Sequence, residues 1–332
     1  MKNFNFISVS GYGWTGSSVY IALLKEFEGF GSFDSEFRLA KDPNGLIDLE
    51  SSLVDNWEFI RHDVSIRDFL SYCDLLSRKG LFFSKIGLDF EEKLFVDFMS
   101  ESEKYIDKLT DLTYIGDSVV HRYRLNAMQF FFKKIKSKLG VYNNTGSMRM
   151  ARPSKEKFII ETRSYINSLF DNYAKIHDLN TIVLDQAIPI SNPFKSMNYF
   201  DSIKLIKVDR DPRDTYVNLI KRKKLIGFEL SKDKFVDKYI LWHKTLRKVN
   251  KKSINNKKDG ILSVNFEDLF LNYENTIEKL NFFLGGNLNH TNKDKYFDHE
   301  ILKNKIGLWK SYKDQRSIDK IYEAFPDDCF DI

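Results

Sequence analysis

The run Phe4-Asn5-Phe6-Ile7-Ser8-Val9-Ser10 leads into Gly11-Tyr12-Gly13-Trp14-Thr15-Gly16-Ser17-Ser18, and this is the most informative stretch of the sequence. The first run has the apolar content of a buried strand, and residues 19–24 after the glycines have the spacing of an amphipathic helix. A helix that begins after such a turn directs its free backbone N–H groups and the positive end of its dipole into the turn. The pattern therefore predicts an anion site, with a phosphate as the usual occupant.

Two nucleotide-binding templates compete for the glycine turn. The Walker A loop fits at Gly11, Gly16 and Ser18 but has Ser17 where its lysine belongs, which argues against triphosphate hydrolysis. The dinucleotide fingerprint G-x-G-x-x-G fits at Gly11, Gly13 and Gly16, but a lone match of this kind has low specificity. A P-loop kinase and a nicotinamide-dependent oxidoreductase therefore remain alternatives at this point.

A second strand-to-helix junction occurs in the middle of the chain. Residues 202–208 read as a strand, and Asp209-Arg210-Asp211-Pro212-Arg213-Asp214 follows it. Pro212 suits the first turn of a helix, and the aspartates suit its positive end. Arg210 is then expected at the carboxyl edge of the sheet, with Asn218 two helical turns further on.

Two later runs complete the pattern. Ile261-Leu262-Ser263-Val264-Asn265-Phe266-Glu267-Asp268-Leu269 reads as a strand followed by an acidic helix start, and residues 276–285 continue as a helix that ends in Phe-Leu-Gly. Lys303-Asn304-Lys305-Ile306-Gly307-Leu308-Trp309-Lys310 carries basic residues before a G-x-W-K element.

In this order, the four runs resemble those of sulfotransferases that use 3′-phosphoadenosine 5′-phosphosulfate (PAPS), over residues 4–312 or so. The small hydroxyl residues after Gly16 resemble the family's 5′-phosphosulfate loop, and the Arg210 run resembles its 3′-phosphate-binding segment. The resemblance implies donor-binding roles at the 5′ end for Gly11, Gly13, Trp14, Thr15, Gly16, Ser17 and Ser18, and at the 3′ end for Arg210, Asn218, Lys303, Lys305, Gly307, Trp309 and Lys310.

The chain departs from the family pattern at Trp14, where a lysine or arginine usually acts on the departing phosphate. Asn218 is a milder departure, because it stands where a serine is usual and keeps a hydrogen-bond donor. Trp14 leaves three possibilities open: another cation replaces the missing one, the enzyme is slow, or the protein binds nucleotide without catalysis.

Transfer of a sulfuryl group to an alcohol needs a general base and in-line alignment of the reacting groups. Carbohydrate sulfotransferases often place a glutamate just after the second strand, and Glu36 has a similar position about twenty residues past the loop. A surface pair between Glu36 and Arg38 is the structural alternative. His62 and His121 are the reserve candidates, since other branches of the family use histidine.

The resemblance and the strand pattern together imply an α/β fold with a P-loop-like parallel sheet flanked by helices. We expect a single domain over residues 1–332. Residues 46–150 lack strand–helix alternation and read as a largely helical insertion over the carboxyl edge of the sheet, where the acceptor would bind.

Composition limits the functional classes. The net charge of +5, from 52 basic and 47 acidic residues, is too balanced to indicate nucleic-acid binding. No apolar run is long enough to span a membrane. Cys73 and Cys329 are too few for a disulfide framework or a zinc site, so we expect a reducing cytoplasm and no metal.

The expected protein is thus a cytoplasmic PAPS-dependent sulfotransferase of the bacterial carbohydrate type, with a glycan hydroxyl as acceptor. The sequence does not predict an oligomeric state. One run falls outside this function: Phe130-Phe131-Phe132 followed by Lys133-Lys134-Ile135-Lys136-Ser137-Lys138. We expect the phenylalanines in the protein interior rather than as a membrane anchor. We expect the lysines on a solvated helix face or loop rather than in a groove for an anionic glycan.

Overall fold

The structure is a computed structural model that describes residues 4–79, 87–116, 126–140, 146–222, 235–254, 260–286, 288–299 and 303–330. Its strands are β1 (Asn5–Gly11), β2 (Phe30–Glu36), β3 (Leu112–Gly116), β4 (Gly146–Met150), β5 (Thr181–Asp185), β6 (Ile203–Asp209) and β7 (Ile261–Asn265).

The helices are α1 (Ser17–Leu24), α2 (Leu46–Glu50), α3 (His62–Ser77), α4 (Phe90–Leu94), α5 (Phe98–Leu109), α6 (Ala127–Lys138), α7 (Lys155–Ile176), α8 (Pro193–Met197), α9 (Pro212–Arg222), α10 (Phe235–Ile254), α11 (Asp268–Leu271), α12 (Tyr273–Leu284) and α13 (Gln315–Ala324). A π-helical turn, Ser51–Asp55, extends α2, and 3₁₀ turns occur at Leu308–Ser311 and Pro326–Asp328.

Five strands form one parallel sheet in the order β2-β5-β1-β6-β7. Because β1 is central, the loop that follows it leaves the carboxyl edge in the middle of the sheet. Gly11 at the end of β1 lies opposite Val208 of β6, and Asp209 lies opposite Asn265 of β7. The loops after these three strands are therefore neighbours. This sheet and its flanking helices confirm the predicted P-loop-like α/β fold.

The contacts divide the chain into two compact units. The sheet unit comprises Asn3–Arg38, His177–Met197 and Ser202–Ile332. One of its cores joins Ile7 and Val9 of β1 to the buried side of α1 and to α12. The apolar alternation of β1 thus fixes the strand and the helix on both sides of the glycine loop.

The second unit comprises Leu39–Ile176 and Asn198–Asp201, and it is mainly helical with an antiparallel pair of strands, β3 and β4. Tyr105 and Tyr165 stack at its centre with 4.6 Å between ring centroids. Cys73 is buried beside them, and burial raises the pKa of its thiol to about 12, so this thiol stays protonated. Among the helices that the structure describes, none is long and apolar enough to cross a membrane.

Candidate functional site

The loop between β1 and α1 has a backbone that its glycines make possible. Gly13, Trp14 and Gly16 have positive φ angles of 92°, 55° and 93°. A Cβ atom on Gly16 would lie 2.4 Å from the ring of Phe266, and one on Gly11 would lie 2.0 Å from the Thr15 hydroxyl oxygen. The backbone therefore turns tightly into the amino end of α1, as an anion-binding loop requires.

The hydroxyl residues of the loop have different surroundings. Thr15 is buried under Gly11. Ser17 accepts a long hydrogen bond of 3.4 Å from the amide nitrogen of Gln186, which follows β5. Ser18 lines an open cavity beside α1. Of the three hydroxyls, that of Ser18 therefore faces a space large enough for a ligand.

Trp14, which replaces the expected cation, packs into an aromatic cluster. Its ring makes a T-shaped contact with Trp242 of α10, with 6.1 Å between centroids and 65° between planes. It also lies against a cluster that contains Tyr216 and Tyr239. The side chain stabilises the loop by packing and brings no charge to it.

Arg210 follows β6 directly and is buried. Its Nη2 donates a 2.6 Å hydrogen bond to the carbonyl oxygen of Lys305, and its guanidinium lies over the ring of Phe266. The Nη2 atom also lies 4.0 Å from a carboxylate oxygen of Asp214. Burial lowers the pKa of Arg210, yet an arginine keeps its charge at neutral pH. Within the described part of the chain its Nε has no hydrogen-bond partner, so the guanidinium keeps unused binding capacity.

Asp214 in the first turn of α9 holds the segment that contains the G-x-W-K element. Its carboxylate accepts backbone hydrogen bonds from Gly307 at 2.8 Å and from Trp309 at 3.1 Å. Burial raises the pKa of Asp214, while Arg210 and these two N–H groups act in the opposite direction. Arg213 completes the junction, because it pairs with Asp211 at 2.7 Å and lies 3.9 Å from the centroid of the Trp309 ring.

Glu267 lies behind this junction and is fully buried. One carboxyl oxygen, Oε1, accepts a 3.0 Å hydrogen bond from the backbone N–H of Asp211. The other, Oε2, has no hydrogen-bond partner among the described residues. Burial raises the pKa of Glu267 to about 7, and the nearby charge of Arg210 opposes that rise.

The remaining residues predicted at the 3′ end lie around the same junction. Asn218 is half-buried on α9. Lys303, Lys305 and Lys310 are exposed, on the segment whose backbone contacts Arg210 and Asp214. The structure thus brings the Arg210 run and the Lys303–Lys310 run together, and Phe266 connects Arg210 to the glycine loop.

Glu36 lies at the end of β2, opposite Asp185 of β5. It pairs with Arg38 at 3.0 Å, and about half of its side chain is exposed. It also lines a cavity of about 430 Å³ together with Ser18. The full lining of this cavity is Ser18, Ile21, Ala22, Lys25, Ser32, Phe33, Ser35, Glu36, Asp185 and Tyr296.

Of the two reserve histidines, the structure describes His62 but not His121. His62 begins α3 in the helical unit, where it is buried and stacks on Trp57 with 5.9 Å between centroids. Burial lowers the pKa of His62, which favours the neutral form of its ring. His121 lies outside the described residues. Among the residues that are described, no group of three or more His, Cys, Asp and Glu side chains could hold a metal ion.

Sequence reasoning missed two side chains of the junction. Phe266 is predicted only as part of a strand and helix start, and its contacts depend on β7 pairing with β6, which no local pattern indicates. Asp214 is predicted only as an acidic residue at the positive end of its helix, and its hydrogen bonds to Gly307 and Trp309 join residues more than 90 positions apart that no local pattern connects.

A family model described as the sulfotransferase domain matches residues 160–323. This segment contains β5, β6, β7, the Arg210 junction and the G-x-W-K element. Over these residues the chain is similar to the sulfotransferase domain. The glycine loop lies outside the matched residues, but the sheet places it next to them, since β1 pairs with β5 and β6. The sulfotransferase domain supports sulfuryl transfer as the general activity and favours it over the kinase and oxidoreductase alternatives.

Several solved structures are similar to this chain at low identity. The sulfotransferase domain from the curacin biosynthetic pathway is 10% identical with a TM-score of 0.45, over 98% of this chain and 99% of that one. The sulfotransferase domain from the Synechococcus PCC 7002 olefin synthase is 15% identical with a TM-score of 0.43, over 100% and 97%. Retinol dehydratase, in complex with androsterone and the inactive cofactor PAP, is 15% identical with a TM-score of 0.38, over 100% and 82%. No curated protein matches the chain.

Proposed function

We propose that this protein transfers the sulfuryl group of PAPS to a hydroxyl of a carbohydrate acceptor. The observation that carries the proposal is the junction itself. In a segment similar to the sulfotransferase domain, Arg210 lies against Phe266, and Phe266 lies against Gly16 of an anion-binding loop.

The two ends of the donor have separate candidate partners. For the 5′-phosphosulfate we assign the backbone N–H groups of the glycine loop and the hydroxyls of Thr15, Ser17 and Ser18. For the 3′-phosphate we assign Arg210 and Asn218, with the exposed lysines and backbone of residues 303–310. The unpartnered Nε of Arg210 supports this assignment, because a phosphate oxygen would give that donor an acceptor.

The cavity beside α1 is the proposed place for the acceptor hydroxyl. Its volume of about 430 Å³ is within the range of small-molecule sites. Its lining combines hydroxyl and carboxyl groups with the rings of Phe33 and Tyr296. Such a lining suits a sugar, whose hydroxyls form hydrogen bonds and whose C–H faces pack on aromatic rings. The predicted insertion, residues 46–150, is proposed to contribute to the choice of acceptor.

The reaction would then be an in-line displacement at sulfur. The acceptor oxygen forms a bond to sulfur while the bond from sulfur to the 5′-phosphate oxygen breaks. Glu36 takes the proton of the acceptor hydroxyl, and 3′-phosphoadenosine 5′-phosphate (PAP) leaves. The loop N–H groups stabilise charge on the leaving phosphate, since Trp14 brings none.

Trp14 favours a second candidate function, which is nucleotide binding without transfer. The ring of Trp14 packs on Trp242, which gives the side chain a structural role. A tryptophan at this position is therefore compatible with a loop that binds nucleotide but does not catalyse transfer. Both candidates predict PAP binding, and only the first predicts turnover.

Thermal-shift titration with PAP, ATP and NAD tests the donor assignment. We expect stabilisation by PAP and none by ATP or NAD at equal concentration. Stabilisation by NAD or ATP alone would overturn it. Turnover is then measured as transfer of radiolabelled sulfate from PAPS to a panel of glycans, with non-carbohydrate alcohols and phenols as comparison acceptors. Transfer to the comparison acceptors alone would refute the carbohydrate assignment, and binding without any transfer would favour the second function.

A further inference from the structure

Helix α6 exposes a series of large apolar side chains. The interior position predicted for Phe130-Phe131-Phe132 is wrong, because all three side chains are solvent-exposed. The exposed fractions along the helix and its last turn are 69% for Met128, 60% for Phe131, 55% for Phe132, 37% for Ile135 and 70% for Leu139. Isolated exposed apolar residues are ordinary, but five within twelve positions form a patch.

These side chains lie on one side of the helix. At 3.6 residues per turn, positions 128, 131, 132, 135 and 139 fall within an arc of about 100°. Phe130 is outside that arc and lies under the ammonium group of Lys134, at 5.1 Å from Nζ to the ring centroid. The helix is therefore amphipathic, and none of the described residues covers its apolar side.

The charges of this helix are all positive. Residues 126–140 contain four lysines, Lys133, Lys134, Lys136 and Lys138, and no Asp or Glu. By the same helical spacing, Lys136 lies at one border of the apolar arc and Lys138 at the other. Lysines in this position can extend their ammonium groups past an apolar surface toward phosphate groups.

Two side chains of the helix itself, Asn126 and Gln129, stabilise its first turn by a capping box. Asn126 accepts a 2.8 Å hydrogen bond from the backbone N–H of Gln129, and the Gln129 side chain accepts one of 3.0 Å from the backbone N–H of Asn126. This capping box fixes the first turn without help from a partner. Binding through α6 therefore does not have to pay the full cost of ordering a helix.

We propose that α6 docks on an anionic lipid surface. Its apolar arc enters the boundary between headgroups and acyl chains, and its lysines lie among the lipid phosphates. A second copy of this chain fits the surface less well, because a two-fold contact would bring two sets of lysines together. The proposal is independent of the reaction and needs no donor or acceptor.

Vesicle flotation tests this directly, with phosphatidylcholine vesicles compared with vesicles of phosphatidylcholine and phosphatidylglycerol. We expect the full chain to float with the anionic vesicles at low salt, and to be released as the salt concentration rises. Absence of binding to anionic vesicles would overturn the proposal. Equal binding to the neutral vesicles would overturn the role of the lysines.

Two variants separate the apolar arc from the charges. The double variant Phe131→Ser with Phe132→Ser removes the largest part of the arc, and Lys134→Glu with Lys136→Glu reverses two charges. We expect each to weaken binding to anionic vesicles by about tenfold or more. The matched control is Phe282→Ser, because Phe282 is 89% exposed on α12 and lies outside the patch.

Unchanged far-ultraviolet circular dichroism and melting temperature would establish that the variants fold. Loss of binding in the control to the same extent would contradict a specific role for α6. Analytical sedimentation without lipid measures whether the chain dimerises through the patch. A dimer that forms in the wild type but not in the variant with Phe131→Ser and Phe132→Ser would assign the patch to self-association and refute lipid docking.

Discussion

The guanidinium carbon of Arg210 lies 4.5 Å from the centroid of the Phe266 ring. The same ring occupies the space where any side chain at position 16 would begin, at 2.4 Å from an ideal Cβ. One aromatic side chain therefore contacts both the loop proposed for the 5′-phosphosulfate and the arginine proposed for the 3′-phosphate. A change at Phe266 should therefore affect the two ends of the donor together, whereas a change at Arg210 should act mainly on the 3′ end.

Replacement of Arg210 tests the 3′-phosphate assignment. We expect Arg210→Ala to weaken PAP binding by about 1.5–3 kcal/mol, the scale of a hydrogen bond to a charged group. Adenosine 5′-phosphosulfate lacks the 3′-phosphate and should lose much less affinity, as measured by isothermal titration calorimetry. Arg210→Lys serves as a second variant that keeps the charge, and Arg316→Ala is an exposed control. Equal losses for both ligands would contradict the assignment.

The glycine at the end of the loop should not tolerate a side chain. Gly16→Ala would force a methyl group into Phe266 at a φ of 93°, and we expect a loss of about 1–3 kcal/mol in unfolding free energy. Urea denaturation measures that loss, and PAP affinity should fall with it. The control is Gly286→Ala, which has a φ of 83° and nothing within 4 Å of its Cβ, so it isolates the backbone effect. Equal destabilisation by both variants would show that the contact with Phe266 is unimportant.

Glu36 is proposed as the base, and Glu36→Gln should lower kcat by roughly 10²-fold or more while PAP affinity stays nearly unchanged. Glutamine keeps the shape of the side chain but cannot take a proton. His62→Asn and His121→Asn are the comparison variants, because those residues are the other candidates. Wild-type kcat in Glu36→Gln would reduce Glu36 to a surface partner of Arg38. A simultaneous loss of PAP affinity would instead assign Glu36 to the organisation of the loop.

Chelation separates sulfuryl transfer from kinase chemistry. We expect transfer to continue in EDTA, because Ser17 stands where the Walker lysine belongs and a single sulfuryl group carries less charge than a triphosphate. Initial rates with EDTA are compared with rates in added magnesium. A strict requirement for magnesium would favour a kinase and make Asp185, at the end of β5, a metal ligand.

Glu267 should make stability depend on pH. Its pKa is about 7 in the folded protein against 4.5 for an ordinary glutamate. Between these values the unfolded chain has lost this proton and the folded one keeps it, so the unfolding free energy falls as pH rises from 4.5 to 7. The unfolding free energy changes by at most about 3 kcal/mol through this group. Above pH 7 the contribution of Glu267 to it is constant.

Urea denaturation between pH 4.5 and pH 8 measures the slope of the unfolding free energy against pH. Glu267→Gln should flatten it, because a glutamine has no proton to lose. The exposed Glu274→Gln control should leave it as in the wild type. An unchanged slope in Glu267→Gln would mean that another group titrates in this range.

Much of the fold could be predicted because its signals are local. The apolar runs of β1 and β6, and the turn residues that follow them, define two strand-to-helix junctions without reference to the rest of the chain. The contact of Phe266 with Gly16 could not be predicted, since it depends on β7 pairing with β6 and joins residues 250 positions apart. The exposure of Phe131 has a similar explanation: an apolar run indicates an amphipathic helix but does not say whether anything covers its apolar side.

The central position of β1 has a consequence for biosynthesis. This strand is made first, but its partners are Thr181–Asp185 and Ile203–Asp209. At 5–20 residues per second, a ribosome needs roughly 10–40 s to add the intervening chain. During synthesis β1 therefore stays unpaired for longer than any other strand of the sheet, and over that time its apolar side chains are available to a chaperone.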